Sequence, residues 1–494
     1  MAAWASQRVA WASQTVLPEA PLAALITRGA VRRWRSEAFT GRGAIWDTLV
    51  IMTPHQILTL PNGLRLVTLP LAQLHSVTAC VVVGCGGRHD PAGQAGLSHF
   101  LEHMLFRGSR GLGDTQAVAL TFEQAGGSLE AATWRDHTSF SCSTHPSGLR
   151  AVLAALPTVL GRPALADIAI ERRIVAEEMR AEVDADGGER ELNALSRAAI
   201  WGQHPLARGI LGSPQSLGRL RLPQLRAHHA AHYRAANMVL CVAGPLDVEA
   251  VQAQVRSAWA ALPAGAVAAV PIALPPRFAP AAPMLWQPGP GPQAALQLTF
   301  PALPEEHPDF LAQEVLVGIL DDGLGSRLPR AICGDRGLAY TLESGLDCYG
   351  DVGVYDIEMY VQPRRIGEAV TCVLTCLGEL LAGGVTAAEL RLARQRQLQA
   401  LEFALDAPEE LAHEYACNLF FGRRRDLASL KQGLLGLQRR DLDRVARQLF
   451  ASGRVHLTGQ GPVAASTLRR LRTQLRQFAA TVGAQAGGGR RRAG

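Results

Sequence analysis

Residues 262–292 divide this chain. Pro263, Pro271, Pro275, Pro276, Pro280, Pro283, Pro288, Pro290 and Pro292 lie there among Ala and Gly, and a stretch so poor in backbone donors reads as a stiff, extended linker. On its N-terminal side, residues 56–70 (QILTLPNGLRLVTLP) predict two strands turned at Pro61, Asn62 and Gly63, and residues 76–83 a third. Gly84, Gly86 and Gly87 break that pattern, and a helix opens near Gly96 and runs to Gly108. Helices over 115–125, 147–160 and 167–201 alternate with strands over 128–133, 137–144 and 237–243. Beyond the linker the order recurs: a strand over 294–300, a helix over 308–320, a break at Gly323 and Gly325, strands within 339–361, then long amphipathic helices. The expected fold is α+β: two halves of about 200 residues, each a sheet with helices on one face, duplicated without a strict sequence repeat. The expected divisions are an extension over 1–51, a first domain over 52–262, the linker over 263–292, a second domain over 293–480 and a basic, flexible tail over 481–494.

Composition excludes several classes. A chain of 494 residues with 48% hydrophobic content can bury a sizeable core. Its 19% charged content and the lack of an unbroken apolar run of about 18 residues predict neither a disordered chain nor a membrane span. Lys431 is the one lysine among 49 basic residues, a bias that points to a GC-rich genome. Without the seven terminal arginines Arg32, Arg33, Arg35, Arg42, Arg490, Arg491 and Arg492, the net charge falls from +6 to −1. A near-neutral middle argues against a nucleic-acid partner. Nine cysteines, an odd number without zinc-ribbon spacing, suggest a reducing compartment; Cys372 and Cys376, one helical turn apart, read as core thiols. The first 51 residues echo AWASQ and carry no secretory apolar core. They read as a disordered extension or a start misplaced upstream of Met52, with an Arg-rich mitochondrial transit peptide as the alternative to a cytoplasmic location.

The chemistry sits in His99-Phe100-Leu101-Glu102-His103. On a helix, residues i and i+4 share a face, so His99 and His103 can reach one metal ion. Glu102, three residues after His99, stands beside that ion without needing to ligate it. This is H-x-x-E-H, the inverted order of H-E-x-x-H. A catalytic zinc takes three protein ligands, and the helix ERRIVAEEMRAE offers Glu171 and Glu178, seven apart on one face. Glu178 is the expected ligand and Glu171 a nearby second carboxylate. His228, His229 and His232 form a second His cluster that no nearby carboxylate completes, His204 reads as a structural loop residue, and Asp321, Asp322 and Gly323 lack the rest of a calcium loop.

Residues 96–109 (GLSHFLEHMLFRGS), 171–178 (ERRIVAEE), 204–212 (HPLARGILG), 237–244 (NMVLCVAG) and 321–340 (DDGLGSRLPRAICGDRGLAY) resemble the pitrilysin/insulinase family of zinc peptidases, across about 55–480. The length matches the short branch that includes bacterial and mitochondrial processing peptidases. The resemblance implies two similar α/β halves closing as a clamshell. It also implies Zn2+ held by His99, His103 and Glu178, Glu102 as general base, and Glu171 as a supporting carboxylate. A peptide or unfolded segment would lie as an added strand against Glu130, Ala131 and Thr133, with Tyr340 contacting it from the second half. Two positions depart from the family. Glu130 replaces the usual Asn, and Cys333 stands where an Arg seven residues before Tyr340 is usual, leaving Arg330 or Arg336 to substitute. The implied partners are a second copy or a second family member that supplies the missing Arg.

Overall fold

A computed structural model describes residues 55–181, 192–265, 284–423 and 425–488. Strands β1 (Gln56–Thr59), β2 (Arg65–Pro70), β3 (Val77–Val83), β4 (Glu130–Thr133), β5 (Thr138–Thr144) and β6 (Met238–Gly244) form one sheet in the order β1-β2-β6-β3-β5-β4. Strands β7 (Met284–Gln287), β8 (Ala294–Ala302), β9 (Ala339–Cys348), β10 (Gly353–Val361) and β11 (His456–Gln460) form a second in the order β7-β11-β8-β10-β9. The pairing senses repeat. β2 runs parallel to β6 as β7 does to β11, and β6-β3-β5-β4 are antiparallel neighbours as β11-β8-β10-β9 are. The duplication expected from element order is therefore present in sheet topology.

The longer helices of the first half are α1 (Leu97–Leu105), α2 (Thr115–Gln124), α3 (Leu149–Gly161), α4 (Ile168–Ala181), α5 (Leu192–Trp201), α6 (Leu222–His232) and α7 (Val248–Ala258). Those of the second are α8 (Phe310–Leu320), α9 (Ile366–Gly383), α10 (Ala387–Phe403), α11 (Pro408–Phe420), α12 (Leu427–Gly436), α13 (Arg439–Phe450) and α14 (Ala465–Gly488). Because strand side chains alternate faces, β3 and β6 feed two cores. Val77, Ala79, Val81, Val83, Leu240 and Val242 pack under Phe100, Leu101, Leu156 and Leu160 of α1 and α3. Cys80, Val82, Val239 and Cys241 turn the other way, into a core that includes Leu411, Ala412, Tyr415 and Ala416 of α11, which lies across β3 and β6. The second half thus covers the back of the first sheet.

The exchange is reciprocal, since α5 packs on β8 and β11. The face it covers is polar. Arg197, fully buried, reaches Asp347 through Nε at 2.7 Å and pairs with Asp356, whose Oδ1 accepts from Thr299 Oγ1 at 2.6 Å. Ser196 and Thr299 share a hydrogen bond of 2.9 Å. Both exchanged helices fall in the same place in the repeated order, between the β5 and β6 strands or their counterparts β10 and β11.

Several boundaries differ from the sequence reading. β7, whose four residues contain no proline, lies inside the expected linker; it pairs with β11, and Trp286 Nε1 donates to Gly461 O at 3.1 Å. The tail expected over 481–494 begins inside α14, which runs to Gly488. The single helix expected over 167–201 is α4 and α5, with 182–191 outside the described residues; the extension over 1–51 and the end of the tail also lie outside them. α9 is long and apolar enough to cross a membrane, but half of it is buried in the second core, where it packs against α13 and α14. All nine cysteines are free.

Breaking a buried ion pair by removing one partner leaves uncompensated charge and costs about 3–5 kcal/mol. Because Asp347 and Asp356 keep some solvent contact, Arg197→Ala is expected near the lower end. A urea melt checks this, and a loss below about 1 kcal/mol would show that the network does not hold the halves together.

Candidate active site

Helix α1 is set by what precedes it. Gly96 adopts φ 90°, and a Cβ there would sit 2.3 Å from Leu211 O, so only glycine fits. Asp90 caps the helix from six residues upstream: its carboxylate accepts from Gly96 N (2.7 Å), Leu97 N (3.1 Å), Ser98 N (2.9 Å) and Ser98 Oγ (2.6 Å). Burial outweighs these bonds and raises Asp90 to about 6. Phe100, Leu101, Met104 and Leu105 anchor α1 in the first core. Val175 and Met179 do the same for α4, which turns Glu171 and Glu178 toward α1.

The expected ligands converge. His99 Nε2 is 3.6 Å from Glu178 Oε1 and His103 Nε2 is 3.4 Å from Glu178 Oε2. The ligand atoms of the three residues all lie within 4.8 Å of one another. Charge-assisted hydrogen bonds are shorter, about 2.7–2.9 Å. With metal–ligand bonds of about 2.0–2.2 Å, the edge of a tetrahedron is about 3.3–3.6 Å, close to these separations. Glu178 Oε2 is buried with no hydrogen bond of its own. The donor set, two imidazoles and a carboxylate, fits zinc.

Electrostatics favour positive charge at this point. Burial, then the neighbouring His103, push His99 down to about 4. Burial also opposes charge on His103, but hydrogen bonding to Glu171 and attraction to Glu178 overcome it and lift the ring to about 10. A cation between the rings would satisfy the same carboxylates. Burial works against the charges of Glu171 and Glu178 as well, yet His103 with Arg107, and His103 with His99, hold the two carboxyls below the usual range. His103 Nδ1 donates to Glu171 Oε1 at 2.8 Å, which fixes the tautomer and aims Nε2 inward. Arg107 grips the other oxygen of Glu171. Glu171 thus meets His103 through one oxygen and Arg107 through the other, and Arg107 is a partner that the sequence reading did not single out.

Glu102 points elsewhere. It is 7% exposed, and its Oε2 accepts from Thr133 Oγ1 at 2.6 Å. Burial pushes it above the usual carboxylate range, and the Thr133 bond partly opposes that shift. Thr133 ends β4, the sheet's edge strand, which pairs only with β5 among the described residues. Ala131 is half-buried on that strand and Glu130 exposed.

The second half contributes less than expected. Tyr340 is 94% exposed at the start of β9, and Arg336 donates to Ala331 O at 3.1 Å. Arg330 pairs with Asp335. Among the described residues no hydrogen bond or ion pair joins Arg336, Tyr340 or Arg330 to the His99 cluster. The His228 cluster needs a correction: Cys85 comes within reach of His228 and His232, and the Asp90 carboxylate lies 3.9 Å from His228 Nε2. Cys85, upstream on the turn after β3, gave no spacing signal. His204 Nδ1 accepts from Leu206 N, a loop role, and Asp322 pairs with Arg396.

Residues 66–213 match the family described as Insulinase (Peptidase family M16), and residues 219–397 match its companion, the Peptidase M16 inactive domain. The chain is 32% identical over 341 residues to an uncharacterised zinc protease of Mycobacterium leprae, covering 68% of this chain and 76% of that protein. It is 26% identical over 420 residues to a Schizosaccharomyces pombe protein named "Probable mitochondrial-processing peptidase subunit beta", covering 82% and 91%. Among solved structures, a protease from Helicobacter pylori superposes with a TM-score of 0.76 at 23% identity, over 83% of this chain and all of that one. The chain belongs to the insulinase family of peptidases, family M16, and has that family's two-domain fold.

Metal analysis tests the ligand assignment. His99→Ala and Glu178→Gln should each lose one equivalent of zinc relative to the unmodified protein. Glu171→Gln should keep the zinc with affinity about 10–100-fold weaker. Unchanged zinc content in both ligand variants would overturn the assignment.

Proposed function

We propose that this protein is a zinc-dependent endopeptidase that hydrolyses peptides or unfolded polypeptide segments between its two halves. The observation that carries this reading is the convergence of His99, His103 and Glu178 at the helix that carries Glu102, a buried carboxylate that accepts from Thr133. A peptide adding to the open edge of β4 would hydrogen-bond through its backbone, which makes recognition broad in sequence. Glu130, exposed on that edge, favours basic residues in the bound segment. When bound, zinc polarises the scissile carbonyl and acidifies the attacking water. Glu102 takes the proton from that water and delivers it to the leaving amine, while Thr133 holds the carboxylate in place. Glu171 keeps His103 oriented throughout.

Glu102→Gln should retain zinc and lower kcat about 10^2–10^4-fold on a quenched peptide. Thr133→Val removes the largest contact that favours the ionised carboxylate, leaving His103 and the Thr133 backbone as weaker opposition to burial, so the base ionises at higher pH. The acid limb of kcat/KM should move up. An unmoved limb, or full turnover by Glu102→Gln, would remove Glu102 from the role of base.

A second reading rests on Cys333 and on the isolation of Tyr340. Positioning supplies much of the rate in such reactions, and here the second half presents Tyr340 without a neighbouring Arg directed at the site. We infer that the chain works best beside a second subunit, either another copy or a family member with the Arg and Tyr pair. The kinship with a processing-peptidase beta subunit supports a heterodimer. Weak cleavage by the chain alone, raised by Cys333→Arg or by a co-encoded homologue, is the expected result. High activity alone that neither change increases would refute it.

A further inference from the structure

A second donor cluster lies on the seam between the halves, outside the site just described. His137 belongs to the turn after β4, whereas His413 and Cys417 sit one helical turn apart on α11. His137 Nε2 and His413 Nε2 are 3.3 Å apart, and Cys417 Sγ lies 3.7 Å from each of them. Zinc bonds of about 2.0–2.1 Å to nitrogen and about 2.3 Å to sulfur give tetrahedral edges of about 3.3 Å for N···N and about 3.6 Å for N···S. Cys417 Sγ also lies 3.8 Å from His413 Nδ1 and so stands over that ring; a turn of the His413 ring would bring both Nε2 atoms and Sγ onto one zinc tetrahedron.

The surroundings match a ligand role. Asp136 accepts from His137 Nδ1 at 2.7 Å, the carboxylate–histidine arrangement that turns Nε2 toward a metal. Trp134 stacks on the His137 ring, and Phe421 meets it edge-on. All three donor residues are buried. In the Cys85, His228 and His232 trio, His228 Nε2 lies 3.2 Å from Cys85 Sγ and 3.0 Å from Ser98 Oγ.

We propose that His137, His413 and Cys417 form a second zinc site that joins α11 of the second half to the loop following β4. It supplies two nitrogens and one sulfur, with one position left for a small fourth ligand. The site would lie where the edge strand ends, at the residue after Thr133 and onward to His137. It does not depend on the peptidase reading, because the His99 cluster contains no sulfur.

Cobalt substitution in the full-length protein separates the two. A cysteine-ligated cobalt ion shows a thiolate-to-metal charge-transfer absorption in the near ultraviolet, which the His99 cluster cannot produce. The expected result is two metal ions per chain with that absorption present. It should persist in His99→Ala/His103→Ala protein, which binds one ion, and vanish in Cys417→Ala, which also binds one. His137→Gln probes the same site from the first half if Cys417→Ala does not fold. Cobalt-loaded unmodified protein without thiolate absorption would overturn the proposal, as would Cys417→Ala or His137→Gln protein that keeps both ions.

Discussion

A central sheet buried on both faces needs two covers, and the rest of this structure depends on where the second one comes from. The first sheet puts α1 and α3 on one face and α11, drawn from the other half, on the opposite face. Burying a side chain such as Leu411 or Tyr415 contributes roughly 1.5–3 kcal/mol, so several of them on α11 make separation of the halves costly. The return contact by α5 is of a different kind. Its Ser196 and Arg197 meet Thr299, Asp347 and Asp356, a polar network in which geometry must be right for the charges to be tolerated. One exchange supplies adhesion and the other supplies register.

That scaffold lets the site hold concentrated negative charge. Three carboxylates, Glu102, Glu171 and Glu178, approach two histidines in a partly buried pocket, and each has a distinct neighbour. Glu171 has Arg107 and His103 Nδ1, Glu102 has Thr133, and Glu178, among the described residues, has the two Nε2 atoms. The difference in partners separates their tasks. A carboxylate already hydrogen-bonded to an arginine and a ring N–H is poorly placed to ligate, whereas Glu178 faces the Nε2 atoms of two imidazoles, between which a cation would meet its charge.

Much of this was legible in the sequence because it is local. The His99–His103 spacing, the Glu171–Glu178 spacing and the strand alternation of residues 76–83 each need only helix or strand periodicity. The repeated order of elements likewise anticipated two matched sheets. What the sequence did not show depends on long-range partners. Asp90 caps a helix six residues downstream through a loop, Arg107 meets Glu171 across 64 residues, and His137 meets His413 across 276. β7 was hidden for the opposite reason: four ordinary residues sit among prolines, and only pairing with β11 makes them a strand. The exchange of α5 and α11 also left no trace, because an amphipathic helix does not say which sheet it will cover.

The two halves meet again beside the reacting groups. Gly86 lies against the loop after β4 so closely that a Cβ would sit 2.4 Å from Trp134 O, and Gly87 N donates to that same carbonyl at 2.9 Å. Thr133, which holds Glu102, is the residue just before Trp134. On its far side the loop ends at His137, in contact with His413 of α11. The chain from Glu102 through Thr133 and the loop to α11 is thus continuous in packed contacts. Any change in how α11 seats on the first sheet must be absorbed by this loop, and the rigid glycine contacts leave it little room to yield except at the Thr133 end. The placement of Glu102 is therefore tied to the docking of the second half on the first sheet.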